Sequence, residues 1–488
     1  MRNRLLTRRQ VLLGSAVTAT AGVLAACGAT PTPQVIEKVV TSVVEREVTK
    51  IVAGTPQVVK ETVVVQEVVK ETVVVEVQPT VAPKGAVDLD YWYIWGGGGG
   101  KAMEAVSAEF EKRSNGTVKM HPLAVGGAIL DKTIASFAAG APPDIVDLIL
   151  CAPLAARGAL VTLDDFIATS TIFKEDNYFD SQWDGTKWAG RRWGIPANEA
   201  LGWIGLYRND QITESAGLDA SAPPTTYDEV FTWSEAMTQR DGTKISRLGF
   251  APGGMITYPD CTSVVSGVHY FDGDALKYNL TAEPFLEVLR QEKRFYDTYG
   301  AQNLTDFNNA LSGQPVADPV AAGKTGMWDT GSWGPGYYAL NAVEGMSWSI
   351  SYFPDSTGAG EKPFCAGTHT LMLLKGGDAQ QAWPFVEWSS TDEYIKMVYD
   401  ISGFIMGTKS FIASLDVSTM FPGLEFYTRG LSEGTRVWGM APDPNWYTVL
   451  FGLADAWEAV GFGKQTPEEA MGDLQTLVTD ELDKLIGR

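Results

Sequence analysis

The chain has 488 residues, of which 45% are hydrophobic, so it is long enough to bury a large core in two or more lobes. Its net charge of −21 makes the surface strongly acidic. Such a surface repels phosphate backbones and anionic lipid headgroups, which argues against nucleic-acid binding and does not disfavour a neutral ligand.

The first 27 residues have the features of an export signal. Thr7-Arg8-Arg9-Gln10 is typical of a twin-arginine signal, and the apolar run that follows contains no acidic residue. Leu24-Ala25-Ala26-Cys27-Gly28 resembles the lipobox of bacterial lipoproteins, in which the cysteine carries diacylglycerol. A short apolar run with a small-residue cleavage site fits a signal better than a membrane span or a buried helix. We therefore expect removal of residues 1–26, lipidation of Cys27, and a location on the extracytoplasmic face of the cell membrane, in the periplasm or at the cell surface.

Residues 27–86 differ in composition from the rest of the chain. Val59-Lys60-Glu61-Thr62-Val63 recurs ten residues later as Val69-Lys70-Glu71-Thr72-Val73, and the segment contains several prolines and no aromatic residue. Such a segment buries little surface on its own, so we interpret it as a stalk, with self-association through the valines as the alternative. The sequence allows a short amphipathic helix near residues 35–52 and extended pairs after it, and the periodicity does not decide between the two.

From Val87 onwards the composition is that of a globular domain of about 400 residues. Hydrophobic patterns predict strands at 88–95, 118–123 and 142–150, with helices at 101–113 and 130–139 between them. This alternation predicts a parallel sheet with crossover helices. Ligands of such sheets bind beyond the carboxyl ends of the strands, where Trp95 and residues 149–151 would lie.

Cysteine and histidine are scarce. Besides Cys27 there are three cysteines, which allow one disulfide without indicating which pair forms it: Cys151, Cys261 and Cys365. The three histidines show no paired metal-ligand spacing: His121, His269 and His369. The sequence therefore predicts no metal site and no cofactor.

An ordered set of landmarks runs from about Asp88 to Leu485. It includes Pro142-Pro143-Asp144-Ile145-Val146, Gly194-Ile195-Pro196, Glu199-Ala200-Leu201, Pro223-Pro224-Thr225-Thr226-Tyr227, Gly323-Lys324-Thr325-Gly326-Met327, Gly331-Ser332-Trp333-Gly334 and Gln465-Thr466-Pro467-Glu468. In this order the landmarks resemble the extracellular solute-binding proteins of ABC importers, in the sugar-binding group that includes maltose-binding protein.

The resemblance implies an α/β, periplasmic-binding-protein-like fold: two α/β lobes joined by a multi-strand hinge, with the ligand cleft between them. Lobe one would hold residues 87–197 and 345–400, and lobe two residues 198–344 and 401–488. The implied function is capture of a mono- or oligosaccharide and its delivery to the transmembrane subunits of an ABC permease. We expect a monomer whose hinge closes around the ligand.

A sugar presents flat C–H faces ringed by hydroxyls, so its site needs aromatic platforms and planar polar groups. Trp95 follows the first strand, and the glycines beginning at Gly96 would let a ligand approach the backbone. The resemblance matches Glu199 to a cleft glutamate, and it matches Trp333 to an aromatic residue that stacks on sugar. Five further candidates have weaker support: Tyr258, Asp329, His369, Trp438 and Trp446. A core position is the alternative for His369, and Trp438 competes with Trp446 for one role.

Maltose specificity does not transfer, because residues 149–151 are uncharged where maltodextrin-binding relatives carry charged residues. Two other classes of function compete: an exported glycoside hydrolase and a stalked surface adhesion protein. Acidic residues are plentiful enough to supply a catalytic pair, but nothing marks one. The sequence also lacks a Gly-x-Ser-x-Gly elbow and a His-Glu-x-x-His motif. We therefore expect no enzyme activity.

Overall fold

The computed structural model describes the backbone of residues 34–52 and 55–73, and then residues 85–488 apart from Pro315 and the side chain of Val417. The chain divides into two units, Met1–Val81 and Ala82–Arg488. The export signal and Cys27 lie outside the described residues. The expectations for them therefore stay predictions.

The first unit contains an antiparallel hairpin of two long strands, β1 (Gln34–Val52) and β2 (Thr55–Val73). Extended pairs were one of the two predictions for this segment. The other prediction, a short helix near residues 35–52, is wrong. Valine and threonine disfavour a helix because their branched side chains lose rotamer freedom there. In the backbone register, Arg46 is opposite Glu61 and Glu47 is opposite Lys60.

The second unit alternates strands and helices. Its strands are β3 (Val87–Tyr93), β4 (Val118–Ala124), β5 (Ile145–Leu148), β6 (Lys187–Trp188), β7 (Arg191–Arg192), β8 (Gly194–Ala197), β9 (Gly205–Asn209), β10 (Gln239–Asp241), β11 (Lys244–Phe250), β12 (Phe271–Asp272), β13 (Lys277–Tyr278), β14 (Thr325–Thr330), β15 (Trp348–Ser351), β16 (Pro363–Ala366), β17 (His369–Leu373) and β18 (Arg436–Gly439).

The helices of the second unit are α1 (Gly97–Arg113), α2 (Ile129–Ala138), α3 (Ala152–Ala155), α4 (Asp164–Thr169), α5 (Asp210–Ser215), α6 (Tyr227–Met237), α7 (Pro259–Ser266), α8 (Glu283–Tyr299), α9 (Ala301–Asn309), α10 (Gly334–Asn341), α11 (Ala379–Trp388), α12 (Asp392–Ser402), α13 (Lys409–Ser414), α14 (Leu424–Glu433), α15 (Trp446–Gly461) and α16 (Pro467–Ile486). No helix among the described residues combines the length and the apolar character needed to cross a bilayer.

The first sheet has the order β4-β3-β5-β17-β8. Strand β3 is parallel to β4 and β5, as predicted, and β17 is antiparallel to β5 and β8. The first helix begins at Gly97, four residues before the predicted start at Lys101. A side chain at Gly99 would come within 2.8 Å of Trp95 and 2.6 Å of Phe404, so the glycine lets the first turn pack against these rings.

The second sheet has the order β10-β11-β14-β9-β15. Strand β15, Trp348–Ser351, pairs antiparallel with β9, so these residues belong to the second sheet although the sequence placed 345–400 in lobe one. The chain thus adds an antiparallel edge strand beside β9, and the boundaries of the two lobes stay a prediction. A two-stranded parallel sheet of β16 and β18 completes this part of the fold.

The three cysteines described by the structure, Cys151, Cys261 and Cys365, carry free and buried thiols. The disulfide that the sequence allowed is therefore not formed in this structure. All three lie inside hydrophobic clusters of the second unit, where they pack as small apolar residues.

Candidate functional site

The candidate site is built around residues 198–203, where the chain leaves β8 of the first sheet and enters β9 of the second. Asn198 has a φ of 58°, a left-handed conformation that asparagine tolerates better than most residues. Backbone bonds fix the segment: His369 N donates to Glu199 O at 2.7 Å, and Trp203 N donates to Cys365 O at 2.9 Å. The segment therefore brings side chains of both sheets to one place.

A buried polar network lies on the side of the first sheet. Asp147 on β5 has no exposed surface and bonds to His369 Nδ1 at 2.7 Å and to the Asn198 amide. Tyr394 OH donates to Asn198 Oδ1 at 2.7 Å, which orients that amide. Burial raises the pKa of Asp147, and the adjacent His369 counteracts the shift. The network holds the imidazole of His369 in one orientation.

Trp95 covers this network from outside. Its ring lies 4.4 Å from the imidazole of His369 and 5.4 Å from Phe404, measured between centroids. Gly96 is exposed, and a side chain added there would meet nothing within 4 Å, so a ligand can approach this backbone. The structure therefore brings Trp95, Gly96 and His369 together, and the predicted contact of each with a ligand stays a prediction.

Glu199 is 5% exposed, and its Oε1 has no hydrogen-bond partner among the described residues. Burial raises the pKa of its carboxyl to about 7, and the charge of Asp147 adds to the rise, while His369 and the nearby hydroxyl of Ser332 act in the opposite direction. A buried carboxylate oxygen without a partner is uncommon in folded proteins and calls for a ligand or an ordered water.

Aromatic rings surround Glu199 on the side of the second sheet. The ring of Trp203 lies 5.5 Å from Tyr258, 6.3 Å from Trp333 and 6.4 Å from Trp446. The indole of Trp333 folds back over its own loop, because a side chain at Gly331 would come within 2.2 Å of that ring. We call Trp203, Tyr258, Trp333 and Tyr447 the aromatic cluster; Tyr447 joins it through Trp446, whose ring lies 5.0 Å from that of Tyr447.

Three further buried polar atoms in or beside the aromatic cluster have no partner among the described residues: Trp203 Nε1, Ser332 Oγ and Tyr447 OH. Ser332 immediately precedes Trp333 in the chain, and its backbone N–H donates to Gly202 O at 2.8 Å. Together with Glu199 Oε1 they provide donors and an acceptor beside flat rings. A ligand with hydroxyl groups and apolar faces matches this combination.

Trp446 does not offer a platform to a ligand in this structure. Its side chain is fully buried, and its Nε1 donates to Asp260 Oδ2 at 2.6 Å. The sequence could not separate this position from Trp438, because both lie within four residues of Pro442. Trp446 packs behind Trp203 and Tyr258 and supports them.

The role of Trp446 can be tested by Trp446→Phe. This change keeps the ring and removes the donor to Asp260, so we expect the free energy of unfolding to fall by about 1–3 kcal/mol. Because the indole does not face the ligand, affinity should stay within about threefold. Chemical denaturation and calorimetry check the two outcomes, and a large affinity loss at unchanged stability would contradict the supporting role.

Asp329 holds the loop before Tyr258 in place. Its Oδ2 accepts from Ile256 N at 2.6 Å, and a side chain at Gly254 would come within 1.9 Å of its Oδ1. Burial raises the pKa of the carboxyl to about 7. The buried Oδ1 has no hydrogen-bond partner among the described residues, so the predicted contact of Asp329 with a hydroxyl stays a prediction.

Trp438 lies outside the aromatic cluster. Its ring stacks on His269 at 3.8 Å with an interplanar angle of 20°. His269 lines a cavity of about 710 Å³ together with segments 187–190, 271–274 and 439–442. None of the nine residues predicted to bind the ligand lines this cavity. The cavity and the aromatic cluster are therefore separate places, and Trp203 Nε1 and Tyr447 OH, which are buried without a partner among the described residues, belong to the aromatic cluster.

Sequence reasoning missed four residues of the site: Asp147, Asn198, Trp203 and Tyr447. A signal existed for Asp147, since a carboxylate inside the apolar run 145–151 must find a partner when buried. Among residues 85–488 no group of three or more His, Cys, Asp or Glu side chains is arranged to hold a metal ion.

A family profile described as "Bacterial extracellular solute-binding protein" matches residues 95–396. Among solved structures, CpMnBP1 with mannobiose bound is similar at 24% identity and a TM-score of 0.71, over 80% of this chain and 99% of the other. The sugar-binding protein MalE of Xanthomonas citri has 19% identity and a TM-score of 0.65, over 82% and 98%.

A Thermotoga lettingae solute-binding protein bound to α-D-tagatose has 17% identity and a TM-score of 0.66, over 81% and 100%. No curated protein matches the chain significantly. At these identities the solved structures establish the fold, and the prediction of two α/β lobes like those of periplasmic binding proteins is confirmed.

Proposed function

This chain belongs to the family of bacterial extracellular solute-binding proteins, and we propose that it captures a carbohydrate and delivers it to an ABC importer. The observation that carries the proposal is the group of unpaired buried polar atoms within the aromatic cluster. Flat rings bind the C–H faces of a sugar, while Glu199 and Ser332 supply partners for its hydroxyls. Mannobiose and α-D-tagatose in two of the structural relatives support this ligand class.

Six of the predicted residues are proposed to contact or admit the ligand: Trp95, Gly96, Glu199, Tyr258, Trp333 and His369. We add Trp203 and Tyr447, because each has an unpaired buried polar atom beside these rings. The two lobes are proposed to follow the sequence-based boundaries, except that residues 348–351 go with the second lobe. Closure of the lobes around the sugar then forms the surface that the permease subunits recognise.

Binding without catalysis is the proposed activity. Glu199 and Asp147 are both buried near the site, but Asp147 is occupied by His369 and Asn198. A glycosidase needs one carboxyl group as acid and a second one free as nucleophile or base. The pair here leaves one carboxyl group free, which favours capture over hydrolysis.

The protein is proposed to act outside the cytoplasm as a monomer held at the membrane by lipid on Cys27. The twin-arginine motif and the lipobox-like sequence support this location. Labelling of the cells with a radioactive fatty acid tests it. Wild-type chain should carry the label, Cys27→Ala should not, and label on both proteins would contradict the assignment.

The function can be tested with the full chain by calorimetry against a panel that includes mannobiose, maltose and α-D-tagatose, with an assay for released reducing ends in the same tubes. We expect saturable heat with at least one sugar and no increase in reducing ends. Turnover would indicate the hydrolase alternative. Neither heat nor turnover with any sugar would contradict the proposal and favour the adhesion alternative.

A further inference from the structure

The imidazole of His369 is held so that only one of its nitrogens is available. Its Nδ1 lies 2.7 Å from Asp147 Oδ1, and the carboxylate is itself fixed by the amide of Asn198. With Asp147 ionised, Nδ1–H donates to the carboxylate, which sets the tautomer and the ring orientation. The remaining nitrogen, Nε2, has no hydrogen bond to any of the described residues of the chain.

Glu199 offers the matching unpaired atom. Its Oε1 is buried without a partner, and its residue is joined to His369 by the backbone bond of 2.7 Å. The two side chains are close enough for the charge on His369 to affect the pKa of Glu199. Both residues are about 5% exposed, and Glu199 Oε1 is fully buried. One acceptor and one ring nitrogen on neighbouring residues are thus left for a ligand group.

We propose that His369 Nε2 and Glu199 Oε1 bind one and the same hydroxyl of the carbohydrate, with Asp147 as the positioning residue that fixes the imidazole. This inference rests on the proposed function. A hydroxyl donates one hydrogen and accepts another, so it joins one acceptor to one donor. Trp95, whose ring covers the imidazole at 4.4 Å, would lie against the adjacent face of the same sugar.

The arrangement requires one proton between the two atoms. If Glu199 is ionised, Nε2 must carry the proton and donate to the hydroxyl, which donates to Oε1. If His369 is neutral, the protonated Glu199 donates to the hydroxyl, which donates to Nε2. When the proton is lost at high pH, both atoms are acceptors and one of them stays unpaired in a buried place.

The other titratable groups around this pair do not supply that proton. Asp147 on β5 is a further acceptor, and burial raises the pKa of the surrounding tyrosines, which stay protonated: Tyr91 on β3, Tyr394 on α12, Tyr258 before α7 and Tyr447 on α15. Affinity is therefore expected to be highest near or below pH 7, where burial sets the pKa of Glu199, and to fall above it.

Calorimetry of the full chain from pH 5.5 to 9 tests the proposal, with mannobiose first and otherwise the panel sugar that gives the largest heat. We expect wild-type affinity to fall about tenfold between pH 6.5 and 9. Glu199→Gln should lose this dependence, because an amide offers a donor or an acceptor by rotation. At pH 9 the variant should therefore bind more tightly than the wild type.

Asp147→Asn tests the positioning role. The charge of Asp147 raises the pKa of Glu199, so its removal should move the fall in affinity to lower pH than in the wild type. A purely structural role for Asp147 would change the affinity at every pH without moving the midpoint.

The outcomes separate two failures. If wild-type affinity stays constant over this pH range, or if the affinity of Glu199→Gln falls in parallel with it, the proposal of a shared hydroxyl is wrong. The proposed function is unaffected by either result. Absence of binding to every sugar at every pH overturns the proposed function, and the shared hydroxyl with it.

Discussion

Replacing Trp333 with alanine is expected to weaken carbohydrate binding about 30- to 150-fold while leaving the fold intact. An aromatic side chain can bury roughly 150–250 Å², and a sugar stacked on one face would cover about half of it. At about 25 cal/mol per Å² this corresponds to about 2–3 kcal/mol of lost binding free energy. The side chain is half-buried at the start of α10, so its removal leaves the sheets in place.

A matched control is Trp188→Ala. Trp188 is also half-buried, but it lines the separate cavity beside segment 439–442. Calorimetry should find its affinity within about threefold of wild type, and circular dichroism should find both variants folded. A larger loss of affinity for Trp188→Ala than for Trp333→Ala would indicate that the ligand binds in the cavity and not at the aromatic cluster.

Gly367→Ala is expected to destabilise the protein by about 3 kcal/mol and to weaken binding about tenfold. A side chain at this position would come within 1.8 Å of the indole of Trp203, which is 3% exposed and enclosed by other rings. Overfilling a packed site of this kind usually costs about 1–3 kcal/mol. Because the ring has no free space to enter, we expect the upper end of this range. Its displacement also disturbs Tyr258 and Trp333.

Gly472→Ala is the control for this prediction. Gly472 lies inside α16, and a side chain added there would meet nothing within 4 Å. Alanine favours a helix over glycine by about 0.5–1 kcal/mol, so this variant should be slightly more stable and should bind normally. Urea unfolding and calorimetry on both variants check the contrast. Equal stability of the two would show that the Trp203 ring can move aside.

The alternation at the start of the globular unit was enough to predict the parallel strands β3, β4 and β5, because buried strands and amphipathic helices leave different periodicities. The partner β17 comes from more than 200 residues later and is antiparallel. Local patterns do not specify which distant strand joins a sheet edge. The same limit applies to β15, whose pairing with β9 of the second sheet no local pattern indicated.

The candidate site was predictable where a residue ends a strand or lies in a family landmark. Trp95 and Glu199 are of this kind, and both are in the site region. The sequence did not indicate Asp147 as a site residue, because its contact with His369 joins residues 222 positions apart. Trp446 and Asp329 show a second limit, because the sequence does not tell whether a ring or carboxylate near a cleft faces the ligand or supports the wall behind it.

The hairpin has a mechanical consequence for the proposed anchoring. Gln34 is paired with Val73, so the two ends of this segment lie side by side, about 5 Å apart. The same forty or so residues, fully drawn out, would cover roughly 130–140 Å. Folded in this way, they add almost nothing to the tether between Cys27 and Ala82. Opening the hairpin would lengthen this connection, and the protein could then bind its ligand at a greater distance from the proposed anchor.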